Sequence, residues 1–197
     1  MYYCGGLTTF VGSNSAIIGK RESGKTTILK NMITHCYQHD YTIILFDSVT
    51  DHVEQSLLLD TKKRYKDSIV IPSPSKEEIK FTNIKNTSFP FCLVDKTDRR
   101  IYSFNVTKYL EEGYETNDLQ NRYTLHQYYK QLIIQELTVM LPIVAKKKCI
   151  VIMDEIEFTT QMHDIVKKYN SFDIQFVVTQ QHSENIPNSL FDVLLIL

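Results

Sequence analysis

The chain has 197 residues, of which 43% are hydrophobic and 23% charged, with a formal net charge of −1. That length suits a single α/β domain with a sizeable core, and that composition is ordinary for a globular protein. No global basic excess points to nucleic acid, although a local basic surface would be enough to bind it. No apolar run is long enough to span a bilayer, and Met1–Gly6 has no basic start or apolar core of a signal peptide. Cys4, Cys36, Cys92 and Cys149 are scattered without zinc spacing and read as reduced, buried thiols.

In chain order, short apolar strands alternate with amphipathic helices, so we expect one domain over 1–197 with a mostly parallel sheet and helices on both faces. Ser15–Gly19 reads as a buried strand, and a helix is expected from Lys25 to Cys36. Thr42–Asp47 and Ser68–Ile71 are the next strands, the latter stopped by Pro72 and Pro74. Phe91–Asp95 and Arg100–Val106 flank the polar turn Lys96–Arg99, a pattern that predicts a β-hairpin. Tyr109–Asn121 reads as a surface loop. From Arg122 to Leu141 apolar residues recur at helical spacing, and Tyr128 and Tyr129 fall on that stripe as core rather than as a base-stacking platform. Cys149–Met153 is continuously apolar, as a central parallel strand should be. A helix over Thr159–Tyr169, a strand over Ile174–Thr179, a turn over Pro187–Leu190 and a final strand over Val193–Leu197 complete the reading.

Gly19-Lys20-Arg21-Glu22-Ser23-Gly24-Lys25-Thr26 matches G-x-x-x-x-G-K-[ST], with an apolar strand before it and a helical run from Thr27 after it. The glycines let backbone N–H groups converge on phosphates, and the helix N-terminus faces the same charge. Gly19 through Thr27 are thus the expected nucleotide-binding residues. Lys25 reaches the β- and γ-phosphates and Thr26 ligates Mg²⁺ in this reading.

Ile150-Val151-Ile152-Met153-Asp154-Glu155 places two carboxylates at the C-terminal end of a buried strand, where ligands of open α/β sheets bind. Asp154 is the expected metal partner. Glu155 is the expected base that polarises water, with Glu157 a weaker competitor. Phe176-Val177-Val178-Thr179-Gln180-Gln181 would carry Thr179 or Gln180 to the γ-phosphate, and Gln180 is preferred as the catalytic sensor. The carboxylate directly after the metal aspartate favours ATP hydrolysis. No Asn-Lys-x-Asp base-specifying motif of GTPases occurs, and the few arginines argue against the arginine-rich lid of nucleotide kinases.

In order and spacing, Ile17–Thr27, Cys149–Glu155 and Phe176–Leu197 resemble the FtsK–HerA superfamily of P-loop ATPases, and within it the genome-packaging ATPases of double-stranded DNA viruses. The resemblance implies a RecA-like fold, ATP with Mg²⁺, a homo-oligomeric ring, double-stranded DNA as partner, and contact with capsid or portal-vertex proteins. It also implies work in the virion or the host cytoplasm. Such rings borrow an arginine from a neighbour. The helix where relatives often carry it reads Val166-Lys167-Lys168-Tyr169-Asn170, and lysine lacks the planar fork. Arg99, Arg100, Arg122, Arg64 and Arg21 remain as candidates, with Arg99 and Arg100 preferred. Lys146–Lys148 and Lys62–Arg64 could touch DNA phosphates but read first as solvated runs. Two other functions fit the core motifs: an ATPase for protein export or virion morphogenesis, and a nucleoside or nucleotide kinase.

Overall fold

A computed structural model of the chain describes residues 12–47, 68–71, 101–105, 130–131, 133–135, 137–142, 144, 147–170, 172–184 and 186–197. Its strands are β1 (Ser15–Ile18), β2 (Thr42–Asp47), β3 (Ser68–Ile71), β4 (Ile101–Asn105), β5 (Cys149–Asp154), β6 (Ile174–Gln180) and β7 (Val193–Ile196). Its helices are α1 (Lys25–Gln38), α2 (the helical positions between 130 and 144) and α3 (Thr160–Tyr169), with a 3₁₀ turn at Asn188–Leu190.

The described strands form one sheet in the order β3-β4-β2-β5-β6-β1-β7, and every pairing in it is parallel. The pleat sends alternate side chains to opposite faces, and the core divides accordingly. Ile17, Ile43, Leu45, Ile150, Ile152 and Val177 pack with Leu29, Met32, Ile33 and Cys36 of α1. Ile18, Ile44, Phe46, Val151, Met153, Phe176 and Val178 lie on the other face, with Ile133, Leu137 and Met140 of α2 and Met162 and Val166 of α3. Helices therefore cover both faces, as the alternating pattern predicts. β5 is buried along its whole length, which explains why its sequence shows no polar alternation.

The helix expected from Arg122 is helical at its described positions between 130 and 144. Tyr109–Asn121, Tyr128, Tyr129, Lys62–Arg64 and Lys146 lie outside the described residues. Lys147 and Lys148 are exposed just before β5. The predicted hairpin needs correction. Its arm at 91–95 lies outside the described residues, and its arm at 101–105 is β4, which pairs in parallel with β2 on one edge and with β3 on the other. No edge of β4 is left for an antiparallel partner. The local turn signal at Lys96–Arg99 competes here with non-local parallel pairing, and the pairing prevails.

Burial raises the Cys36 thiol to about 12 and pushes Cys149 up as well, so both are inert protonated thiols of the core. Cys4 and Cys92 lie outside the described residues. At the N-terminal edge Asn14 ties three elements together. Its side chain accepts from Phe176 N at 2.9 Å and donates to Asn170 Oδ1 at 2.8 Å, while its N–H donates to Asp192 Oδ2 at 3.1 Å. Among the described residues, no helix is long and apolar enough to cross a membrane.

Candidate nucleotide site

Because the strands run in parallel, the loops after β1, β5 and β6 emerge at one edge. Register fixes their heights: Ile18 stands opposite Gln180, and Met153 opposite Val178. β6 lies between β1 and β5, so its tip touches both neighbouring loops. Gly19 N donates to Gln180 O at 3.0 Å, which seats the start of the loop on that tip.

The two glycines of the motif serve different ends. Gly24 has φ 96 and nothing within 4 Å of an added Cβ, so it is required for its left-handed backbone. At Gly19 an added Cβ would meet Ser23 Oγ at 2.4 Å and Leu197 Cβ at 3.0 Å, so space is the constraint there. Glu22, at φ 63, completes the curl. α1 starts at Gly24 with no side-chain cap and no acidic residue in its first turn. Its first amides therefore keep their attraction for an anion. Ser23 Oγ is buried with no hydrogen-bond partner, a hydroxyl directed into the loop. Lys20, Arg21, Glu22 and Thr27 are exposed, and Ser23, Gly24 and Thr26 half-buried.

Lys25 is 6% exposed. Its Nζ donates to Gly19 O at 2.5 Å and Lys20 O at 2.9 Å, and pairs with Glu155 Oε1 at 3.0 Å. The lysine expected to bind phosphate and the carboxylate expected to act as base thus meet directly. Glu157 is turned elsewhere, to Lys130 at 2.5 Å, which separates the two competitors for the base. Glu155 adopts φ 56, a left-handed conformation uncommon for a residue with a Cβ. Strained backbone of this kind concentrates at functional sites.

Asp154 is 1% exposed at the end of β5. Thr179 Oγ1 donates to its Oδ1 at 2.5 Å and accepts from Glu155 N at 2.9 Å. Gln180 Nε2 donates to Ile156 O, and Gln181 is exposed. The sequence therefore places Lys25, Asp154, Glu155, Thr179 and Gln180 together at one edge. What it misses is the part played by Thr179, whose hydroxyl bonds the Asp154 carboxylate and the Glu155 backbone N–H. The signal was available in the strand pattern: Thr179 is one step beyond Val178, and Val178 is level with Met153. Of the arginine candidates, Arg21 is exposed in the loop; Arg64, Arg99, Arg100 and Arg122 lie outside the described residues.

The donor set suits magnesium. A buried carboxylate at Asp154 and a hydroxyl at Thr26 are hard oxygen donors, and a hydrated magnesium ion needs few of them besides phosphate.

No protein-family model matches the chain, and no curated protein matches it in sequence. Solved structures do. The genome packaging NTPase B204 from Sulfolobus turreted icosahedral virus 2, in complex with AMPPCP, is similar at a TM-score of 0.53 and 11% identity, over 94% of this chain and 74% of that one. The same protein in complex with ATP-gammaS gives 0.50 and 12% over the same shares. The chain has the fold of that NTPase, a RecA-like α/β sheet, consistent with the FtsK–HerA resemblance of its motifs.

Proposed function

We propose that the chain is a magnesium-dependent ATPase whose homo-oligomeric ring moves double-stranded DNA, in the packaging of a viral genome. The observation that carries the reading is the 3.0 Å approach of Lys25 to Glu155 at the mouth of the glycine loop. It brings a phosphate-binding cation and a water-activating carboxylate to one point. The shared fold supports it: B204 is a genome packaging NTPase whose structures hold ATP analogues.

Nucleotide binding draws Lys25 away from the carbonyls of Gly19 and Lys20 and from Glu155, onto the β- and γ-phosphate oxygens. Amides at the start of α1 and Ser23 Oγ take the remaining phosphate oxygens. Thr26 and Asp154 would hold magnesium. Magnesium, when bound, spreads and neutralises the charge that develops between the β- and γ-phosphates. Glu155, released from Lys25, accepts a hydrogen bond from water and orients it toward the γ-phosphorus. Gln180 exchanges Ile156 O for the γ-phosphate or that water, and so reports which nucleotide is present. A neighbouring subunit supplies an arginine, with Arg99 or Arg100 preferred. Capsid or portal-vertex proteins are the expected mounting for the ring.

ATP hydrolysis measured with and without long duplex DNA, alongside the mass of the oligomer, tests the reading. We expect turnover that rises with duplex DNA in a ring-sized assembly. An assembled ATPase indifferent to DNA at low salt would move the reading to protein export or morphogenesis. Phosphorylation of a nucleoside or nucleotide faster than hydrolysis would make it a kinase.

A further inference from the structure

We propose that Thr179 is the positioning residue for both carboxylates, its one hydroxyl setting the rotation of Asp154 and the backbone of Glu155. This rests on the reading of the site as an ATPase centre. Thr179 is fully buried at the tip of β6, so water does not compete for its hydroxyl. A threonine hydroxyl has one proton to give and lone pairs to receive with. Here the proton goes to Asp154 Oδ1 at 2.5 Å, within the range of a short charge-assisted bond, and a lone pair takes Glu155 N–H at 2.9 Å.

The two bonds have separate effects. The first fixes the rotation of the Asp154 carboxylate at the end of β5. The second holds Glu155 where its φ is 56, a left-handed conformation that a residue with a Cβ rarely adopts unassisted. With Glu155 left-handed, its side chain turns back from the line of β5 and comes within 3.0 Å of Lys25. Without the hydroxyl, Glu155 N–H loses its partner and the backbone is free to relax to an extended path. Gln180, the next residue, accepts from Gly19 N through its carbonyl. Two adjacent residues of β6 thus tie the acidic loop and the phosphate loop to one strand tip. Outer-shell partners of this kind are worth about 10–100-fold in metal affinity or activity.

The test uses the full chain with three substitutions. Thr179→Val keeps the shape and removes the hydroxyl, Thr179→Ala removes it with less bulk, and Thr179→Ser keeps it. Exchange of the Glu155 amide is followed by NMR without nucleotide. A fluorescent ATP analogue is then titrated in EDTA and in excess magnesium, and ATP turnover is followed as magnesium is varied. We expect faster Glu155 exchange in the valine and alanine variants. We also expect about 10–100-fold loss of turnover or of the magnesium-dependent gain in affinity, with binding in EDTA unchanged. Serine should restore all three readouts.

Three results would overturn the proposal. These are a parental magnesium response and Glu155 exchange in the valine variant, equal impairment by serine and valine, or equal loss of nucleotide binding in EDTA. If the parent itself turned over no ATP, the ATPase reading would fail, while amide exchange would still decide what Thr179 holds.

Discussion

Two helices start at the same edge of the sheet, and they start differently. α3 follows β5 and is capped by Thr159, whose hydroxyl accepts from Met162 N at 3.2 Å. α1 follows β1 and begins at a left-handed glycine with no side-chain cap. α3 satisfies one of its first-turn amides with its own side chain. α1 leaves its first amides and a buried Ser23 hydroxyl for an anion to satisfy. The contrast separates a helix end that stabilises the fold from one that gives up stability for binding.

Substitutions can break that contrast, the largest at Lys25. On the proposed reading Lys25→Ala removes the cation that two phosphate groups share, each charge-assisted bond being worth about 1.5–3 kcal/mol. Lys25 gives up its own bonds to Gly19 and Lys20 on binding, so the net loss falls at the lower end, near two decades of affinity. Calorimetric titration with an ATP analogue measures it, and unchanged affinity would contradict the site. Glu155→Gln should slow hydrolysis by about 10²–10⁴, the range for a positioned base. It should also bind nucleotide at least as well as the parent, because the ion pair that competes for Lys25 is weakened. Single-turnover kinetics and direct binding read the two effects separately. Weaker binding would mean that Glu155 assists the phosphate loop instead of restraining its lysine.

Gly24→Ala sharpens the comparison at the helix start itself. The left-handed conformation costs a residue with a Cβ roughly 1–2 kcal/mol, so stability should fall by that amount and nucleotide affinity with it. Thr159→Ala should cost about 1 kcal/mol in stability and leave nucleotide affinity at the parent's value, as a cap without a ligand must. Chemical denaturation and titration of both variants decide the matter. A nucleotide effect at Thr159 would erase the distinction between the two helix ends.

Much of this was legible in the sequence because motif spacing and strand burial are local properties. The loop at Gly19–Thr26, the acidic end of β5 and the apolar runs of β1, β2 and β6 are written in consecutive residues. The order β5-β6-β1 is not, because pairing between parallel strands distant in the chain leaves no periodicity to read. β4 shows the same limit. A polar turn before it suggested a hairpin, while its pairing is settled by β2 and β3. The contact between Lys25 and Glu155, 130 positions apart, depends on the left-handed turn after Asp154, and nothing in a Glu-Ile-Glu run announces that turn. Thr179 lay within reach of sequence reasoning, since strand register places it beside the acidic pair.

The most direct trial is a crystal structure of the chain with a non-hydrolysable ATP analogue and magnesium. The account expects Lys25 Nζ on the β- and γ-phosphate oxygens, its contact with Glu155 Oε1 opened, and Glu155 facing the γ-phosphorus across a water. A structure in which Lys25 still grips Glu155 while the nucleotide sits away from the glycine loop would contradict it.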